Sequence, residues 1–241
     1  MNYLERTYRN RIFHNEELQT FNVKVFETDL FVLADSLLTE IVVKSIYKFR
    51  GYIESYIRYH PEFLTSLLPL KIDHLAPDII IDMLKAGELV DVGPMASVAG
   101  AIAEYVGKEL LQSGSKNVVI ENGGDIFLKT ENEMKISIFA GESSLSEKIR
   151  ILIKPEDMPM GVCTSSGTVG HSLSFGNADA VCVLSRSATI ADAAATAIGN
   201  QIKNKKDMRK ALAVGSNIKD ITGILVIMGD EMAIQGKIEL I

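Results

Sequence analysis

Asp192 and Thr196 stand four residues apart in the alanine-rich run Ala188-Thr189-Ile190-Ala191-Asp192-Ala193-Ala194-Ala195-Thr196-Ala197-Ile198-Gly199. On a helix that spacing puts a carboxylate and a hydroxyl on one face. Both are hard oxygen donors of the kind Mg2+ takes. Because Mg2+ fills most of its octahedron with water and substrate phosphates, a sparse protein shell is expected. An equally weighted reading makes Thr189 the helix N-cap and Asp192 its N3 partner, with the alanines present for close packing.

Upstream lies Gly161-Val162-Cys163-Thr164-Ser165-Ser166-Gly167-Thr168-Val169-Gly170-His171. Thr164, Ser165, Ser166 and Gly167 supply hydroxyls and unhindered backbone N–H groups, which suit anionic oxygens. His171 is the acid–base candidate, since imidazole titrates near neutrality. Its plain alternative is a surface or structural histidine.

Two further segments complete the set. Asn122-Gly123-Gly124-Asp125 sits between the apolar runs Val118-Val119-Ile120 and Ile126-Phe127-Leu128. That is a hairpin signal, because Asn and Gly tolerate positive φ. The turn by itself accounts for Gly123 and Gly124, while Glu121 and Asp125 bracket it with acids, as solvated turns also do. The earlier segment, Val90-Asp91-Val92-Gly93-Pro94-Met95-Ala96-Ser97-Val98-Ala99-Gly100, reads as a strand end running into a helix. A helix N-terminus offers free N–H groups to phosphate, Gly93 permits close backbone approach, and Pro94 presets the first helical position. A packed turn of small residues is the plainer reading. Neither a Walker A nor a G-x-G-x-x-G pattern occurs there.

These segments need elements to hold them. Residues 7–29 contain β-branched stretches that read as a strand or hairpin. Over residues 36–59, Leu37, Ile41, Ile46, Phe49, Ile53 and Ile57 recur at helical spacing, and Pro61 ends or restarts that helix. A short helix is expected over 79–85 and an Ala-rich one over 96–111, with Gly114 as its C-terminal stop. Strands follow at 117–120, 126–130, 135–139, 148–154, 178–184 and 224–228, with 233–241 as a closing hairpin and a helix over 190–201. Strand runs with few helices point to α+β rather than Rossmann-type alternation.

With 241 residues, 47% of them hydrophobic, the chain can bury a full core, which rules out a disordered or fibrous protein. The net charge of -6 and scattered basic residues argue against a nucleic-acid partner. Only Lys203, Lys205, Lys206, Arg209 and Lys210 cluster, as a solvated helix or loop face would. Cys163 and Cys182 lack CxxC spacing, so free thiols in a reducing cytoplasm are expected rather than a zinc site. The charged N-terminus predicts neither a secretory signal nor a lipoprotein leader, and no run is long enough for a membrane span.

In their order along the chain, the four segments resemble the ApbE flavin-transferase family. Its members carry a D-x-G-G-x-A-K-G turn into a helix, then N-x-G-G-D, a T-S-G loop with a following His, and A-D-x-x-x-T on a helix. The resemblance is best over residues 91–199, and the Gly93-Pro94-Met95-Ala96 wording is similar to a divergent branch of UPF0280 type. It implies one α+β, T-fold-related domain over residues 1–241 with largely antiparallel sheets. It also implies FAD as substrate or ligand and a Mg2+ bridging its diphosphate. The implied metal contacts are Asp192, Thr196 and the main-chain carbonyl of Ala96. Gly93, Ala96, Gly123, Gly124, Asp125, Thr164, Ser165, Ser166 and Gly167 would line the ligand site.

The implied reaction transfers FMN to a threonine of an acceptor protein with release of AMP; related members hydrolyse FAD to FMN and AMP. Departures stand at Pro94, where the family has Gly, and at Ser97 and Val98, where it has Lys and Gly. Ser172-Leu173-Ser174-Phe175-Gly176 follows His171 without the family's Asp-Pro. They keep two alternatives open: a non-catalytic small-molecule-binding module, and an enzyme of the same fold with a non-flavin substrate. The expected partners are a nucleotide ligand and an acceptor protein, with room for a homodimer and none for nucleic acid or membrane.

Overall fold

In the computed structural model, which describes residues 18–167 and 175–241, the β-branched stretch near the N-terminus forms an antiparallel hairpin of β1 (Gln19–Val25) and β2 (Thr28–Ala34). Side chains alternate across a strand, so Leu30, Val32 and Ala34 enter one core while Phe31 and Leu33 enter another. Helix α1 (Thr39–Tyr59) buries Val42, Ile46, Phe49 and Ile53 as one stripe. Pro61 restarts the chain as the single turn α2 (Glu62–Thr65).

Helix α3 (Asp78–Val90) is longer than the pattern predicts and ends at Asp91, which takes a left-handed φ of 59°, so the segment before Gly93 is a helix end and not the expected strand end. A 3-10 turn (Pro94–Ser97) leads into α4 (Val98–Gln112), and this second helical run lies bent 105° from α3. Gly114, at φ 102°, follows the end of α4 as its position predicts.

The remaining elements are β3 (Val118–Asn122), β4 (Asp125–Lys129), β5 (Met134–Ser137), β6 (Arg150–Ile153), β7 (Met160–Ser165), β8 (Ala180–Ser185), α5 (Ala188–Asn200), α6 (Asp207–Gly215), β9 (Ile221–Met228), β10 (Glu231–Gly236) and β11 (Glu239–Leu240). They build a mixed α+β fold. An antiparallel eight-stranded sheet runs β1-β2-β3-β4-β7-β8-β9-β10, and a three-stranded sheet runs β11-β6-β5. One face of the large sheet packs on the helices and the other on the small sheet. Cys163 and Cys182 are free buried thiols on opposite faces. Among the described residues no single helix is long and apolar enough to cross a membrane.

Three further elements differ from the sequence pattern. The polar run containing Thr164 and Ser165 begins as a central strand, β7, rather than a loop; Thr164 and Ser165 pair with Cys182 and Val181. Pairing with β8, and the Thr164 amide's bond to the Gly124 carbonyl, hold this polar end in the sheet without apolar alternation of its own. The C-terminal stretch splits: β10 closes a hairpin with β9, whereas β11 crosses to pair with β6. Helix α6 is unmarked in the pattern, while the basic cluster running into it is solvated as expected, and Lys205, just before it, pairs with Asp230 and Glu231 at 2.6 and 3.0 Å.

Asp35 ties the end of β2 to the turn between α4 and β3. Its carboxylate accepts from the Ser115 hydroxyl (3.0 Å), the Lys116 and Asn117 amides (2.6 and 3.1 Å) and the Asn117 side chain (2.7 Å). Burial pushes its pKa up, but the hydrogen bonds from Asn117, Lys116 and Ser115 outweigh that and hold it at about 2, against 3.8 ordinarily. A depressed folded-state pKa gives stability that is complete above 3.8 and lost as pH falls toward 2. Asp35→Ala is therefore expected to cost about 1 kcal/mol at neutral pH, after allowance for solvent screening at this exposed site. Thermal melts across that acid range should show a shallower loss of stability in the variant than in the wild type.

Candidate functional site

A cleft of about 540 Å3 opens where the start of α4, the face of α5 and the β3–β4 hairpin meet. The hairpin supplies Asp125. Asn122 pairs with Asp125 across a two-residue turn in which Gly123 and Gly124 take φ of 70° and 108°, conformations closed to most side chains. The turn is held from three sides. Asn122 Nδ2 donates to the Ala99 carbonyl (3.1 Å), the Gly124 amide donates to Glu121 Oε1 (2.8 Å), and the Thr164 amide donates to the Gly124 carbonyl (3.3 Å).

Asp192 comes from α5. Its Oδ2 accepts from the Gly100 amide at 2.8 Å, and the Ala99 amide also bonds to the Asp192 carboxylate. These amides belong to the first turn of α4, where no intrahelical acceptor exists, so Asp192 acts as a cap contributed by a different helix. Gly100 makes the contact close. A Cβ there would lie 2.3 Å from the Ala188 carbonyl oxygen and 2.7 Å from Asp192 Cβ. The N-cap of α5 is Ser187, whose hydroxyl accepts from the Ile190 amide, while Thr189 bonds instead to Glu104 of α4. Thr189 is thus not the cap, and the reading that paired it with Asp192 gives way to one in which each helix caps the other.

Asp125 and Asp192 are each 8% exposed. Burial, followed by the charge of Asp192, raises the Asp125 carboxyl well above the usual range; hydrogen bonds from Cys163 and the Thr164 amide only partly oppose this. Burial raises Asp192 to about 7 against the pull of the Gly100 and Ala99 amides. Two carboxylates in a poorly solvated cleft resist ionising together unless a cation joins them. Among its described lining residues the cleft has no Lys, Arg or His. Among all described residues, no three His, Cys, Asp or Glu side chains form a metal-holding cluster. A cation here would rest on few protein oxygens.

Of the residues singled out by sequence, Gly93, Ala96, Asp125, Asp192 and Thr196 line this one cleft. Gly123 and Gly124 form the turn behind Asp125. Thr164, Ser165, Ser166 and Gly167 are not among the described lining residues; Thr164 bonds toward Cys182, and the Gly167 amide donates to Ala178. His171 lies outside the described residues. Gly93 is bonded through its amide to the Leu67 carbonyl (3.0 Å), and a Cβ on it would overlap the Ser66 carbonyl. The 62–67 segment, unmarked by any motif, contributes the half-exposed rim residues Leu64 and Leu67, which Phe175 joins. Ser97, where the resemblance expects Lys, is fully buried and donates to the Pro94 carbonyl at 2.8 Å.

The family described as AbpE bacteria matches residues 10–234. The UPF0280 protein of Methanococcus aeolicus is 44% identical over 221 residues, covering 90% of this chain and 89% of that one. The UPF0280 protein of Methanocaldococcus jannaschii is 46% identical over 204 residues, covering 83% and 81%. Among solved structures, the apo flavinyl transferase ApbE of Pseudomonas stutzeri superposes with a TM-score of 0.58 at 13% identity, covering 90% and 94%. The ApbE protein of Thermotoga maritima superposes with 0.56 at 14% identity, covering 91% and 97%. At such identities the likeness concerns the fold.

Gly100→Ala is expected to destabilise by about 1–3 kcal/mol, because its methyl group would meet backbone rather than a movable side chain; chemical denaturation measures this. Asp125→Asn should act in the opposite sense in chelator at neutral pH, raising Tm by relieving the buried acid pair. A lowered Tm would show that the pair stabilises the fold as it stands.

Proposed function

This chain belongs to the AbpE bacteria family, and from that membership we propose that its cleft binds FAD together with Mg2+ and transfers or hydrolyses the FMN moiety. The observation that carries the proposal is the gathering of Ala96, Asp125, Asp192 and Thr196 around one cleft with no cation on its described walls. A buried acid pair fits a divalent ion by the chemistry of its donors. Asp192, Thr196 and the Ala96 carbonyl would hold it, with Asp125 as a further oxygen beside them. Mg2+ bound there would neutralise charge on a diphosphate and on departing AMP.

The chain's own residues bind and orient. Asp192 is held by the Gly100 amide on Oδ2 and by the Ala99 amide, which fixes the direction of its carboxylate. The β3–β4 turn fixes Asp125 against it. Leu64, Leu67 and Phe175 offer apolar surface at the mouth, suited to the planar ring of a flavin. The acid–base role proposed for His171, the contacts proposed for Thr164 through Gly167, and an acceptor protein carrying a threonine follow from the family resemblance.

A second reading, a binding module without chemistry, is favoured by one feature: Pro94 and the inward-turned Ser97 stand where the family has Gly and Lys. Mixing the protein with FAD, with and without Mg2+, and following flavin fluorescence and AMP release separates the two. Metal-dependent binding with AMP release supports the enzyme, and binding without AMP in the presence of candidate acceptors supports the module. Chelation, or Asp192→Ala, is expected to weaken FAD binding by roughly tenfold or more, about 1.4 kcal/mol. Unchanged affinity in Asp192→Ala would remove the metal assignment.

A further inference from the structure

Glu104 is a buried acid that the proposed chemistry does not use. It lies one turn beyond Gly100 on α4, is 4% exposed, and is bonded on both oxygens. Oε2 accepts from the Ser187 hydroxyl (2.8 Å), the Thr189 amide (3.0 Å) and the Thr189 hydroxyl (3.0 Å); Oε1 pairs with Lys108 Nζ at 2.7 Å. Burial pushes its carboxyl up, but Lys108, the Thr189 amide and the Ser187 hydroxyl outweigh burial and keep it below the usual range. It is thus a buried carboxylate that remains charged.

We infer that Glu104 is a positioning residue for the acid pair: it anchors the first turn of α5 to α4, so that Asp192, one turn further along α5, meets the Gly100 amide and faces Asp125. The two clamps run in opposite senses. Glu104 of α4 holds the start of α5, and Asp192 of α5 holds the start of α4. They lie one turn apart on each helix, at residues 100 and 104 of α4 and at residues 189 and 192 of α5, so neither helix can slide or roll without breaking one of them. A single clamp would fix the crossing at one point only.

Packing alone does not call for an acid here. An apolar side chain would fill the space without the desolvation penalty of a carboxylate, but it would leave the Thr189 amide and hydroxyl without their acceptor. Lys108, half exposed, neutralises Oε1 from the solvent side and touches nothing of the cleft. The three donors on Oε2 carry the positioning, and the ion pair maintains the charge.

The metal readout rests on the cleft reading proposed above; the hydrogen-exchange readout does not. Glu104→Met, which removes the acceptor, and the milder Thr189→Val, which keeps the backbone donor, are compared with wild type, with Lys108→Met as a control for the ion pair alone. Glu104→Met is expected to speed exchange of the Gly100 amide about tenfold while amides of β3 and β8 keep their rates. Its affinity for Mn2+, used as a paramagnetic probe, should fall about tenfold, as for other groups that orient metal ligands. Thr189→Val should fall between it and wild type, and Lys108→Met should stay near wild type. A Glu104→Met protein with lowered Tm but unchanged Gly100 exchange would overturn the inference. Wild-type protein that binds no Mn2+, with Gly100 exchange still sensitive to Glu104, would overturn the metal reading and leave the positioning role standing.

Discussion

The crossing of α4 and α5 at Gly100 is the contact on which the site depends. Only a residue without a side chain lets the Ala188 carbonyl and Asp192 Cβ come this near. That approach brings the Asp192 carboxylate within reach of amides that a helix start leaves unsatisfied. A similar demand appears where β7 meets the start of α5: a Cβ on Gly161 would lie 2.4 Å from Ala188 Cα. The beginning of α5 is therefore wedged between a strand and a helix, and Ala188, with its small side chain, is what both neighbours touch.

The large sheet brings the second acid to the same place. Along β4, Phe127 points to the helical core while Ile126 and Leu128 point to the other, so Asp125 shares the face of Phe127 and looks toward α5. The glycine turn ends the strand at the point where that carboxylate meets Asp192 rather than solvent. The result is an acid pair buried at the floor of a cleft and unattended by basic side chains among its described lining residues. Such a pair opposes its own ionisation, and a divalent ion between the two carboxylates would remove that opposition.

Local signals were sufficient for several parts of this arrangement. Asn122 through Asp125 read as a hairpin and are one, because two adjacent positive-φ positions leave few other choices. The stripe Ile46, Phe49, Ile53 read as a helix face and is buried. Other parts had no local signature. Thr164 and Ser165 read as loop residues because their side chains are polar, yet they lie in a central strand, held there by pairing with β8. Glu104 reads as an ordinary helical acid; nothing nearby in sequence tells that Ser187 and Thr189 are its partners. The 62–67 segment carries no motif at all and becomes part of the cleft because Gly93 docks on it.

By itself, then, the sequence determined the α+β class, the turn at Gly123 and Gly124, and the spacing that sets Asp192 and Thr196 on one helical face. Those follow from φ preferences and from periodicities of two and 3.6, which act within a few residues. Tertiary structure alone decided which acids face each other, which helix caps which, and that Ser97 turns inward while Asp125 turns toward α5. Those outcomes depend on how closely α4, α5 and β7 can approach. Glycine at residues 100 and 161 sets that approach, but only against neighbours some thirty to ninety residues away along the chain.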